Sequence, residues 1–181
     1  MNAIATVPAP NDPDVLQLLA INNLRGPAEL LPYKDMGYDS QWCHISAKHC
    51  ALNSGGRRVH GWALWRWDVP QATPPQTILF AEHHSVWEPP NGALVDVTPR
   101  RFGVPSVLFV RDDSAVITLK DGSFLMRTDL TSWPEITRVI TGNPTEYEFY
   151  PLKVEERPDL LAYCRRLDFD PCEMATDREH G

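Results

Sequence analysis

No apolar run in the sequence approaches the ~20 residues that cross a bilayer, so no membrane partner is expected. The opening stretch MNAIATVPAPNDPD has neither the basic start nor the apolar centre of a secretory leader. A cytoplasmic location follows as the expectation. Basic residues form no track: Arg57-Arg58, Arg100-Arg101 and Arg165-Arg166 are isolated pairs in a chain of net charge −7. Binding a phosphate backbone needs a concentrated basic surface, so nucleic acid is not an expected partner. No glycine-rich loop follows a predicted strand, which removes the nucleotide-binding fingerprint. No cofactor is called for. There is no internal repeat. Cysteine is scarce, with Cys43, Cys50, Cys164 and Cys172 making four, and in a reducing compartment these are not a disulfide scaffold.

What remains is an ordinary globular composition. Of the 181 residues, 43% are hydrophobic and 23% charged, enough apolar material for one core. A single domain over 1–181 is expected, with its core over 12–170 and flexible ends at 1–11 and 174–181. Residues 12–24 read as a helix with Asp12 as cap, Pro13 in the first turn and an apolar stripe of Val15, Leu18, Leu19 and Ile21. Residues 26–39 read as loop. SQWCHISAKHCALNSGG reads as a second helix, capped by Asp39 or Ser40 and ended by Gly55-Gly56.

After Gly56 the period changes to alternation. RRVHGWALWRW, QTILFAEHHSVWEPP and GALVDVTP read as strands, the last two joined as a hairpin through EPPNG. SVLFV, AVITLK, SFLMRT and EYEFYPLKV read as further strands, with KDG a turn signal. RPDLLAYCRRLDF reads as a C-terminal helix. Helices followed by a run of strands and a final helix make an α+β protein with an antiparallel sheet. Residues 101–157 read either as the rest of the sheet or as a substrate-facing extension.

The segment DSQWCHISAKHC packs Cys43, His44, His49 and Cys50 together, which suggests a zinc clasp. Helix geometry argues against it. Only i,i+3 and i,i+4 positions share one face closely, and Cys43 and Cys50 lie ~10 Å apart along a helix axis, too far for one tetrahedral ion. No metal ligand is therefore assigned there. A site completed from His60, His83 or His84, using one or two helical ligands, is the alternative: a zinc-binding or non-catalytic interaction module.

Cys43 by itself is more informative. In the first turn of a helix, free N–H groups and the helix dipole stabilise a thiolate, the nucleophilic form of cysteine. A base and an orienting acid are found downstream. A hairpin centred near Pro90 sets His84 opposite Asp96, on one face of the sheet. A one-residue slip would instead set His84 against Val97 and His83 against Thr98. His83 is the second choice of base. Asp96 sits between Val95 and Val97, where an acid needs a specific partner. Gln41 and Trp42 are candidate supports for an oxyanion. Glu82, on the His84 face, can orient the histidine or a substrate amine. Trp62 and Trp87 are candidate walls of a substrate groove, with core packing the simpler role for such rings.

These pieces resemble the transglutaminase-like branch of the papain-like cysteine enzymes. The matching stretches are Gln41-Trp42-Cys43, Gly55-Gly56, Val59-His60-Gly61-Trp62, His84-Ser85-Val86-Trp87 and Asp96-Val97-Thr98-Pro99, over about residues 38–100. The resemblance implies a papain/transglutaminase-like fold with Cys43 as nucleophile, His84 as base and Asp96 as orienting acid. It implies a hydrolase or acyltransferase that forms a thioester on an amide or ester carbonyl, with a peptide, protein or small amide or ester as substrate.

Overall fold

Two long strands organise the chain. β3 (Arg57–Val69) and β4 (Gln76–Glu88) pair antiparallel in unbroken register, with Gly61 opposite His84 and Trp62 opposite His83. The computed structural model describes residues 5–69, 76–99, 104, 106–132 and 149–176. Among the described residues the fold is α+β, with antiparallel sheets and three α-helices.

Flanking strands extend this pair. β5 (Ser106–Arg111) lies on the other side of β3, and β2 (Ala28–Pro32) lies outside β5. β8 (Leu130–Thr131) pairs with β4 at Phe80 and Ala81. The short β1 (Ala5–Thr6) pairs with β3 at Trp67 and Arg66. The main sheet thus runs β2-β5-β3-β4-β8, with β1 attached to β3. A second, three-stranded sheet contains β6 (Thr118–Lys120), β7 (Ser123–Arg127) and β9 (Phe149–Leu152), in the order β6-β7-β9. The KDG signal makes the β6–β7 turn, where Asp121 and Gly122 both take positive φ, 51° and 76°, as a tight hairpin turn requires.

Side chains alternate across the main sheet and bury both faces. Trp62, Leu64, Leu79 and Ala81 pack with Leu108, Val110 and the stripe Val15, Leu18 and Leu19 of α1 (Pro13–Ile21). Val59, Ala63, Trp65, Phe80 and Val86 pack on the opposite face with Phe109 and Leu31. α2 (Cys43–Ser54) lays Ala47 and Cys50 against Trp87 and Val97. α3 (Pro158–Arg166) contributes Leu160, Tyr163 and Cys164 to a cluster with Ile45, Phe124 and Met126. Residues 101–157 are therefore divided, among the described residues, between the main sheet and this second sheet.

Several expectations change. The stretch read as loop over 26–39 contains β2. GALVDVTP forms isolated bridges, Trp87–Val95 antiparallel and Tyr33–Asp96 parallel, not a continuous strand. The α2 cap is neither Asp39 nor Ser40. Gln41 takes φ 79° and Trp42 occupies the cap position without a side-chain bond, while Asp39 pairs with Arg166 at 2.6 Å. A turn through the left-handed region at Gln41 delays the helix and makes Cys43 its first residue. The ends expected to be flexible at 1–11 and 174–181 are held in part. β1 engages β3, and a 3-10 turn at Pro171–Ala175 buries Met174. No helix among the described residues is long and apolar enough to cross a membrane.

Candidate active site

The three residues expected to carry the chemistry come from three separate pieces of chain. Cys43 opens α2, where the leading N–H groups of a helix have no intrahelical acceptor. His84 lies in the middle of β4. Asp96 is held by β2 and its continuation: its N–H donates to Pro32 O at 3.0 Å, and its carbonyl accepts from Lys34 N at 2.9 Å. All three side chains are buried.

His84 Nε2 and Asp96 Oδ1 are 3.2 Å apart, and the same oxygen accepts from Thr98 N at 3.0 Å. The register that joins them differs from the one expected. The Trp87–Val95 bridge, continued along the chain, sets Asp96 opposite Val86, so His84 and Asp96 meet diagonally. A slip of two residues preserves the face of every side chain, whereas a slip of one reverses it. The pair therefore survives the altered register.

Burial alone would favour a neutral His84. The Cys43 sulfur and the Asp96 carboxylate, each acting through charge and a hydrogen bond, outweigh it and hold the imidazole well above its ordinary pKa of 6.5. The edge of the Phe109 ring packs on His84, with centroids 6.4 Å apart. Gly61, directly opposite His84, leaves room for β5, since a Cβ there would lie 2.6 Å from Phe109 Cζ and collide with the Val110 carbonyl.

The other three thiols lack such a partner. Burial raises Cys50 and pushes Cys164 up to about 11, and Asp170 raises the exposed Cys172. Cys43 is thus the one described cysteine beside an imidazole held toward its cationic form.

The segment before Cys43 is tied to α3 through Tyr163. Its hydroxyl lies 2.9 Å from Ser46 Oγ and accepts from Asp39 N at 3.3 Å, and its ring stacks on Trp42 at 6.0 Å. The Arg157 guanidinium covers Trp42 at 5.5 Å. Trp42 is thereby engaged in packing, while Gln41 is exposed at the helix entrance. Glu82 is half-buried, opposite Ala63. Trp62 and Trp87, read as core or as candidate groove walls, are interior. Trp62 Nε1 donates to Asp112 Oδ2 at 2.9 Å, and Trp87 Nε1 donates to Gly55 O at 2.9 Å, closing the end of α2. A groove of about 930 Å³ lies between β2, Leu94 and Phe109. Its wall includes none of Cys43, His84 and Asp96.

His83 does not join this group. Successive residues point to opposite faces on a strand and about 100° apart on a helix of 3.6 residues per turn. Cys43 with His84 and His44 with His83 therefore make two distinct meetings. His83 packs on His44 with centroids 4.5 Å apart, and His60 lies about as near to both rings, at 6.0 and 6.1 Å. Ser85 Oγ lies 2.7 Å from His44 Nδ1 and 3.0 Å from His60 Nδ1. The four-residue clasp within α2 does not form: His49 bonds Tyr38 and the Leu167 carbonyl, and Cys50 packs on Trp87. Ser85 and Tyr163 take no role from the sequence, and His44 enters it only as a member of the clasp. The position of His44 beside Cys43 was the available signal.

No family model, curated protein or solved structure matches the chain.

Proposed function

We propose that the chain is a cysteine-dependent enzyme of papain/transglutaminase-like architecture, acting on an amide or ester carbonyl. The observation that carries this is the buried His84 imidazole 3.2 Å from Asp96 and raised in pKa by both Asp96 and the Cys43 sulfur, with Cys43 at a helix start. Asp96 occupies Nε2, so Nδ1 is the nitrogen left for the thiol. The carboxylate fixes the tautomer and supports the imidazolium.

In this reading the Cys43 thiol gives its proton to His84 and the sulfur attacks the substrate carbonyl carbon. The carbonyl π electrons move to oxygen. That oxyanion is met by the N–H of Cys43 at the helix N-terminus and by a second donor, for which the Gln41 side chain is the candidate. Collapse of the intermediate breaks the bond to the leaving group, which takes the proton back from His84 and leaves a thioester on Cys43. His84 then removes a proton from water or an amine, which attacks the thioester and restores the thiol. The acceptor decides between hydrolysis and acyl transfer.

The test is covalent trapping. A panel of activated esters and amides is incubated with the protein, and the acyl adduct is located by peptide mass spectrometry. An adduct on Cys43, lost in His84→Ala and absent from Cys172, is expected. Labelling of Cys43 no faster than the exposed Cys172 would remove the reading.

A further inference from the structure

We propose that His44, His60 and His83 form a binding site for a divalent transition-metal ion of the zinc class. The site is separate from the cysteine centre and does not depend on it. One ring nitrogen from each of the three residues falls within 4.8 Å of the others. The rings come from α2, β3 and β4, and all three are buried.

One hydrogen bond specifies the tautomer of His83. His83 Nε2 lies 2.7 Å from the Ala115 carbonyl oxygen. A carbonyl only accepts, so Nε2 carries the proton and Nδ1 is a bare lone pair. That Nδ1 is closed to solvent and has no hydrogen-bond partner among the described residues. A buried acceptor without a partner is uncommon in folded proteins and calls for an explanation. A metal ion supplies one, because a ligating imidazole characteristically donates its other N–H to a backbone carbonyl or similar acceptor. Ser85 Oγ lies between the other two rings, and with two lone pairs it can accept from Nδ1 of both His44 and His60.

The protonation state agrees with ligation. Burial, with the neighbouring imidazoles, holds His44 well below 6.5 and pushes His83 down to about 3. Neutral imidazole is the form that binds metal. Three nitrogens with no oxygen donor suit zinc and its neighbours, not calcium or magnesium. Three protein ligands leave a fourth position open. The cationic Arg58 and Arg127 act on His44 and His83 respectively, so a bound ion favours an anion such as hydroxide in that position.

The experiment uses the full chain, stripped with chelator, reloaded with Zn²⁺ and desalted. Metal content is measured by elemental analysis, and folding by circular dichroism and thermal melting. Stoichiometric zinc is expected in the wild type and in Cys43→Ser, with at least about tenfold less in His83→Gln and His60→Gln. The Co²⁺ form should show visible d–d bands and no sulfur-to-cobalt charge transfer. Zinc should raise the wild-type melting temperature, and chelator should reverse this, a readout that holds even if the histidine variants fold poorly. Folded wild type that retains no zinc and shows no thermal shift would overturn the proposal. So would zinc lost with Cys43→Ser, zinc kept in His83→Gln, or a sulfur–cobalt band.

Discussion

Asp96 Oδ1 stands 3.2 Å from His84 Nε2 and also accepts the Thr98 N–H at 3.0 Å. One carboxylate oxygen therefore both fixes its own loop and faces the imidazole. Replacing Asp96 with Asn keeps the size of the side chain and removes its charge. The His84 cation then loses one of the two groups that sustain it. Iodoacetamide labelling of Cys43 at neutral pH should slow, because an imidazole that holds its proton less firmly supports less thiolate, and the pH profile of labelling should change. An unchanged profile would show that the carboxylate has only a structural role.

Tyr163 reaches from α3 to the lead into α2. In Tyr163→Phe the ring still stacks on Trp42, but Ser46 Oγ and Asp39 N lose their shared partner. A loss of about 1–3 kcal/mol is expected, read as a shift of the urea midpoint with the slope unchanged. Slower Cys43 labelling should accompany it if the hydroxyl also positions the helix start.

Gly61 lies opposite His84 where any Cβ meets backbone and the Phe109 ring. Its φ is not positive, so the constraint is space and not conformational freedom. Gly61→Ala should cost about 1–3 kcal/mol or more as overpacking, through displacement of β5 from β3. Thermal melting measures this, and Gly92→Ala is no equivalent control because Gly92 takes φ 82°.

Acid should destabilise the metal-free protein through two histidines. His44 and His83 have folded pKa values below the unfolded value of 6.5. Their contribution is present above 6.5 and is lost as pH falls from there toward about 3 for His83. The unfolded chain binds the extra proton, so unfolding free energy should fall by up to about 1.4 kcal/mol per pH unit per histidine. His84 acts in the opposite sense. Its raised pKa gives stability present below 6.5 and lost as pH rises through the folded value. Urea titrations in chelator at about pH 7, 5 and 4 should show the acid loss, reduced in His83→Phe.

Much of the local structure was legible in residue order. Pro13 with the stripe Val15, Leu18 and Leu19 marks α1, the alternation after Gly56 marks β3 and β4, and KDG marks its turn, because capping, periodicity and turn chemistry act over a few residues. β2 was hidden because Gly26, Pro27 and Pro32 signal loop, while pairing with β5 supplies its backbone hydrogen bonds. The helix cap was misplaced because the positive φ at Gln41 leaves no compositional mark.

Residue order sets which chemical groups exist and which faces they take. Cysteine, histidine and aspartate occur in that order, and parity along β4 separates His83 from His84 whatever the register. The partners come from the folded chain. It set the two-residue register that makes the His84–Asp96 contact diagonal, and it anchored Asp96 on the chain after β2. It also gathered His44, His60 and His83 around Ser85. Such contacts join residues far apart in the chain, and their geometry comes from sheet pairing and helix docking, which no local pattern encodes.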